Sequence, residues 1–386
     1  MYSDILFKTW LQEQTPRAPL MKNEPAFYRR LEQSLDKARK DNGLITVKPR
    51  WDDTVVDLTT SDFLSLNRTG RIREAFKSEL ARHGDFVSAP PREIADFHNS
   101  ETAWIAHSGF FANVGVLEAV LLPGDAIVYD ELSHASTILG MKVSMAAEKI
   151  PFKHNSLDSL RDVLESLKNS GPAFASGEQS ILICVESVYS MEGDICPLKE
   201  FVDLAKEMFP AGNAQFIIDE AHSSGVIGPK GSGLVQMLGL EKEISIRLHM
   251  CSKALASTGG VILCNKTIRS TIIQNSRALT YSGAPSFPMV ASIRAGYQLL
   301  ISGETQKAQD DIQRNAKYFF ELLTTDPICE EAIDEGLLTI PLADDWEQRS
   351  IHSHIIPIKT PSHIQLYPKE RAASDWFCTR TTQEKR

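Results

Sequence analysis

The chain of 386 residues carries a net charge of −9 at pH 7, with 42% hydrophobic and 24% charged residues. That length buries a large core and is long for one domain, so two subdomains are expected. The acidic balance argues against nucleic-acid binding, which wants a basic face; no apolar run is long enough to span a bilayer, and the N-terminus shows no secretory signal.

The six cysteines, Cys184, Cys196, Cys251, Cys264, Cys329 and Cys378, form no Cys-x-x-Cys pair. They read as reduced thiols of an intracellular protein, with no metal site implied. Along the chain, residues 1–50 are polar and helix-prone. An amphipathic helix is predicted over 27–40, with Arg29, Arg30 and Glu32 outside. A short strand follows at 55–58. From there to about residue 265, apolar strands at 126–129, 181–185, 216–218 and 260–263 alternate with helical segments, clearest at 157–167 and 198–208. This repetition predicts an α/β fold with a mostly parallel sheet covered by helices on both faces. Ligands in such sheets bind at the carboxyl ends of the strands. A long helical stretch over 289–323 leads toward a second subdomain, which begins with a strand-like run at 355–358. The expected division is an N-terminal helical segment (1–55), a large domain (56–290), and a connector helix with a C-terminal subdomain (291–386).

The most informative stretch is Phe216-Ile217-Ile218-Asp219-Glu220-Ala221-His222, followed by Ser252-Lys253-Ala254-Leu255. A buried strand that delivers an acid, with a lysine among small residues downstream, is what a pyridoxal phosphate (PLP) enzyme needs. The lysine takes the aldehyde, and the acid keeps the pyridine nitrogen protonated so that the ring accepts electrons. Asp219 also reads as a helix cap, and Lys253 alone as a surface lysine. Ser108-Gly109-Phe110 opens a helix whose free N–H groups suit a phosphate, or forms a plain turn. His134, in a segment directly after a strand, could stack on a planar cofactor or sit in a helix cap. Ser190 could donate to a cofactor oxygen or to its own turn. His222 could reach the same cofactor oxygen. The order of these features, each at a strand end, favours the cofactor reading.

These residues carry a family resemblance from about residue 58 to residue 288. Thr60-Ser61-Asp62-Phe63-Leu64, Ser133-His134-Ala135-Ser136, Ser190-Met191-Glu192-Gly193-Asp194 and Asp219-Glu220-Ala221-His222 together resemble the motifs of the α-oxoamine synthases. These belong to the class I/II aminotransferase superfamily of PLP enzymes, and among them the motifs stand nearest the 8-amino-7-oxononanoate synthases of biotin synthesis. The resemblance implies PLP fold type I, with a seven-stranded-type sheet and an α+β C-terminal subdomain. It implies an acyltransferase that condenses a small amino acid with an acyl thioester, of CoA or a carrier protein, and releases CO2. By it, Gly109 and Phe110 lie against the cofactor, His134 stacks on the ring, and Ser190 and His222 bond the phenolic oxygen. Asp219 holds the ring nitrogen and Lys253 is the Schiff-base lysine. Ser282 and Gly283 reach the phosphate of a neighbouring subunit in a homodimer. Lys253, His134 and Asp219 are thus the expected catalytic set.

The chain departs from the family pattern in three places. Met250 stands where the family has a threonine that bonds the phosphate. Phe86 to Pro91 runs directly into the next motif, so a Gly-Ser-x-x-Ser-Arg loop and a helix are expected to be missing. After Thr360 a short polar tail replaces a longer subdomain that carries an arginine for the substrate carboxylate. These departures predict a truncated chain with an incomplete C-terminal subdomain and put turnover in question. Aldol cleavage or transamination on the same fold is one alternative, and a non-catalytic remnant or partner subunit is another. The cytoplasm is the expected location; the peroxisome stays open, although Glu384-Lys385-Arg386 is no peroxisomal tripeptide.

Overall fold

The computed structural model describes residues 12, 14–40, 60–82, 92–344 and 346–360. The strand expected at 55–58 and the junction at 86–91 lie outside these residues. The chain divides into two compact units, Met1–Thr60 with Pro361–Arg386, and Ser61–Thr360.

In the first unit the expected amphipathic helix is present as α1 (Ala26–Lys40). Arg29 and Arg30 are exposed, while Glu32 is half-buried. Glu32 is drawn in by Arg39, whose guanidinium meets it at 2.6 Å and Asp36 at 2.5 Å. Asp36 in turn accepts hydrogen bonds from the backbone N–H groups of Arg17 and Ala18.

The second unit is built on seven strands: β1 (Thr102–Ala106), β2 (Ala126–Asp130), β3 (Glu148–Phe152), β4 (Ile181–Glu186), β5 (Ala214–Asp219), β6 (Ile246–Met250) and β7 (Gly260–Cys264). They form one sheet in the order β1-β7-β6-β5-β4-β2-β3. β6, β5, β4, β2 and β3 pair in parallel, and β7 runs antiparallel to both of its neighbours. Each central strand buries both faces, as a helix-covered sheet requires. Ile127, Leu182, Ile217, Leu248 and Ile262 pack on one side with α3 (Gly109–Val120) and α4 (Ala135–Val143). Val128, Ile183, Ile218 and Val261 pack on the other side with α2 (Arg71–Arg82), α5 (Leu157–Ser170), α6 (Leu198–Met208) and α7 (Phe287–Ile301).

Strands β1, β3 and β6 were not predicted from the sequence. β3 is a short edge strand that contains Pro151, tolerated there because one side of its backbone is unpaired. β6 breaks the apolar pattern with Arg247 and His249, both of them buried. The helical stretch expected over 289–323 is two helices, α7 and α8 (Gln306–Thr325). The chain turns between them at Gly303, whose φ of 79° lies in the left-handed region that glycine adopts without strain. The run at 355–358 is not a strand: in this region the only pairing among the described residues is a bridge between Thr339 and Lys359.

Candidate active site

Five parallel strand ends deliver the candidate residues to one edge of the sheet. β1 leads into α3 through Ser108, whose Oγ accepts from Phe111 N–H at 3.1 Å and caps the helix. The first N–H groups of α3 belong to Gly109 and Phe110 and have no partner within the helix. A Cβ on Gly109 would collide with the Met250 Sδ at the end of β6. A Cβ on Gly260, the first residue of β7, would stand 3.0 Å from the Gly109 Cα. Close backbone approach therefore fixes this helix start over the sheet.

One turn along α3, the buried Asn113 Nδ2 donates to Asp219 Oδ2 at 2.7 Å and to Ser136 Oγ at 3.1 Å. Asp219 ends β5 and is only 7% exposed; its other oxygen accepts from Ala221 N–H at 2.9 Å. Burial raises the Asp219 pKa. The bonds from Asn113 and Ala221 and the charges of His134 and Lys253 pull it back, but it stays raised from its ordinary value. Directly opposite on β4, Glu186 is buried as well. Burial and then the Asp219 charge push its pKa well up. Its Oε1 accepts from His134 N–H at 2.6 Å and so ties the segment after β2 to the end of β4.

His134 is exposed at the start of α4. Its Nδ1 accepts from Ser136 N–H at 3.2 Å, and its ring stands 6.4 Å from that of Phe110. Ser190 follows β4 in a turn held by Tyr189 and Asp194, and its hydroxyl has no hydrogen-bond partner among the described residues. The same turn is clamped from outside. His154 bridges Asp130 at 2.9 Å and Asp194 at 2.8 Å. Lys253 follows β6, half-buried, and its charge acts on both Asp219 and His222. His222 is 8% exposed, and its Nδ1 is buried without a partner. Burial, followed by the charges of Lys253, His354 and His134, pushes its pKa down to about 3.

The structure thus gathers Asp219, His222, Lys253 and His134 around one point, with the start of α3 beside it. Ser282 and Gly283 lie apart on the surface, both exposed; Ser282 Oγ stands 3.4 Å from His107 Nδ1, and Gly283 adopts a φ of 83°. Three residues of the site escape the sequence reading. In the sequence Asn113 reads only as part of a helix start, and Glu186 as the start of a turn. His354 lies far along the chain, where only its apolar neighbours Ile355 to Ile358 stand out. No helix among the described residues is long and apolar enough to cross a membrane.

The arrangement fits PLP on three counts. Asp219, its pKa raised by burial, forms no salt bridge among the described residues and suits a pyridinium. The orphaned His222 Nδ1 and the unpaired Ser190 hydroxyl suit the phenolic oxygen. The cap-lined start of α3 suits the phosphate.

A sheet of this topology with this constellation at its strand ends defines a PLP-dependent enzyme of fold type I. The class I and II aminotransferase family matches residues 53–338, and the chain belongs to it. Its relatives place it among the α-oxoamine synthases. It is 47% identical to an aminoacyl transferase sphA of Aspergillus fumigatus over 91% of this chain and 78% of that protein. It is 42% identical to an 8-amino-7-oxononanoate synthase of Emericella nidulans over 68% of each. A solved serine palmitoyltransferase with PLP superposes with a TM-score of 0.60 at 26% identity, covering 69% of this chain and 66% of its own. The chain therefore spans about four fifths of the first relative and about two thirds of the other two. The family is PLP-dependent, and PLP is its cofactor.

Proposed function

We propose that this chain is a PLP-dependent acyltransferase that condenses a small amino acid with an acyl thioester and releases CO2. The observation that carries this reading is Asp219. It is a buried acid at the end of a parallel strand, held by Asn113 and facing the charges of Lys253 and His134. Asp219 would hold the pyridine nitrogen. Ser190 and His222 would hold the phenolic oxygen, the N–H groups of Gly109 and Phe110 the phosphate, and Lys253 the aldehyde. His134 would stack on the ring. When bound, PLP supplies an electron sink for the pair left behind when the amino acid loses its α-proton.

The chain's own residues do the rest. Lys253, once displaced by the incoming amino acid, would take the α-proton at Nζ. The Asp219 carboxylate would keep the ring nitrogen protonated through that step. His134 would cover the exposed face of the ring and offer a donor to the acyl carbonyl. The α-carbon would bond to the acyl carbon as the thiolate leaves; it would then lose CO2 and take a proton back from Lys253 Nζ.

Ser282 and Gly283 would reach the phosphate of a second copy. The exposed Phe110, Phe111 and Tyr281 give that copy apolar surface to cover, which supports a homodimer. The large PLP-binding domain would span residues 56–290. One relative is named an aminoacyl transferase and the other an 8-amino-7-oxononanoate synthase, which supports a transferase of this family without singling out biotin synthesis.

Borohydride reduction of the PLP-loaded protein followed by peptide mapping tests the assignment. A phosphopyridoxyl group on Lys253, with consumption of an acyl thioester in the presence of glycine, alanine or serine, is the expected result. A tag on another lysine in a folded, loaded sample would overturn it. Tagging of Lys253 without turnover would favour the non-catalytic reading.

A further inference from the structure

His354 is the least explained group near the site. Both of its ring nitrogens are buried, and neither has a hydrogen-bond partner. Each unpaired buried nitrogen costs the desolvation of a polar group with nothing in return, so a native site rarely keeps two on one ring.

The ring is nevertheless held firmly. It packs edge-on against Phe63, with centroids 4.2 Å apart, and Phe63 also touches His222 at 6.0 Å. The segment that carries it is anchored twice. Gln313 on α8 exchanges hydrogen bonds with the His352 backbone at 2.9 and 3.0 Å. The Ile355 carbonyl lies so close to Gly193, in the turn after Ser190, that a Cβ there would collide with it. His354 is therefore fixed beside His222 and the Ser190 turn, which carry the two residues assigned to the phenolic oxygen. In PLP the phenolic oxygen is ortho to the aldehyde carbon, where the amino acid attaches. A polar group on this side faces the amino acid, while the phosphate lies on the other.

We infer that His354 binds the carboxylate of the amino-acid substrate, which supplies the partner its ring lacks. The assignment rests on the acyltransferase reading above. Without an anion nearby, burial keeps the ring neutral, its pKa pushed down to about 4. It then still offers one N–H to the carboxylate.

The test uses the full chain loaded with PLP and three forms of residue 354: native, His354→Leu and His354→Gln. Kd values for glycine, alanine and serine are read from the change in cofactor absorbance, alongside PLP affinity and thermal unfolding. The expected result is PLP binding unchanged and unfolding no lower for His354→Leu, since both orphaned atoms are gone. Amino-acid affinity should fall about tenfold or more in His354→Leu and recover in part in His354→Gln. Unchanged amino-acid affinity in a PLP-loaded His354→Leu would overturn the inference. So would a marked fall in its unfolding temperature, which would make the ring a structural element. Failure of the native chain to bind PLP would remove the acyltransferase reading and this inference with it; a loss confined to the variants' amino-acid binding bears on His354 alone.

Discussion

Asp219 and Glu186 stand directly opposite each other on adjacent parallel strands, both buried, and each has its pKa raised. Two carboxylates this close resist simultaneous ionisation, so one of them must be the anion the cofactor needs. Asn113 and Ala221 donate to Asp219, and the charges of His134 and Lys253 also favour its ionised form. Glu186 receives a single backbone N–H, that of His134. Asp219→Asn should leave the fold intact and lower α-proton exchange of the amino acid by roughly a hundredfold or more, the scale of other preorganised electrostatic contacts. Glu186→Gln keeps an oxygen for His134 N–H and should retain most of that exchange. Equal rates in native protein and Asp219→Asn would refute the role of Asp219.

The His154 clamp predicts a pH dependence outside the chemistry. Burial alone would lower the His154 pKa, but its bonds to Asp130 and Asp194 override this and raise it from 6.5 to about 10. The ring also packs edge-on against Tyr189 at 4.5 Å. A group bound more tightly when protonated stabilises the fold fully below its unfolded pKa. The His154 contribution is thus complete below about pH 6.5, and it fades as the pH rises through 10. Chemical denaturation followed from pH 6 to 10 should show native stability falling more steeply than that of His154→Gln. Parallel curves would mean that the bridge contributes nothing measurable.

Much of this was legible because two of the three candidate catalytic groups, His134 and Asp219, follow apolar strands. The 216–218 run announced β5, and its next residue is Asp219. The runs at 126–129 and 181–185 likewise placed His134 and Ser190 at strand ends. The expectation failed where burial was polar. β6 carries Arg247 and His249 into the core, with His249 beside Glu220 at 3.2 Å, and such a strand has no apolar signature. Glu186 and Asn113 were invisible for a related reason: their roles are contacts between distant segments. Asn113 bonds Asp219 from 106 residues away. His354 depends on Phe63 at the far end of the unit, a pairing that no local pattern encodes.

Gly193 joins the Ser190 turn to the segment that carries His354. Its φ is 71°, and a Cβ would strike the Ile355 carbonyl. Gly193→Ala therefore meets both backbone strain and a collision with main chain, whereas Gly212, at φ 78°, has nothing near its missing Cβ. Gly212→Ala should cost about 1–2 kcal/mol, the penalty for an L-residue in the left-handed region. Gly193→Ala should cost clearly more and should also weaken amino-acid binding. Denaturant midpoints of the two variants decide this, and equal losses would mean that the 353–358 segment yields freely.

Residue 250 should set the affinity for PLP. Its side chain lies against Gly109, the first residue of α3, whose N–H groups would meet the phosphate. A methionine there fills space but donates nothing. By the family resemblance a threonine stands at this position and bonds the phosphate. Met250→Thr removes buried thioether packing and should lower the stability of the cofactor-free protein by about 2 kcal/mol or more. It also adds one donor to a dianion, a bond worth roughly 1.5–3 kcal/mol. PLP affinity should therefore rise about tenfold or more, since about 1.4 kcal/mol is a factor of ten. The two effects have opposite signs and separate readouts: thermal unfolding without PLP, and titration with it. Equal PLP affinity in both forms would mean that residue 250 supports the helix start by packing alone. Weaker affinity in Met250→Thr would mean that the close fit of Met250 under Gly109 holds the phosphate site in shape.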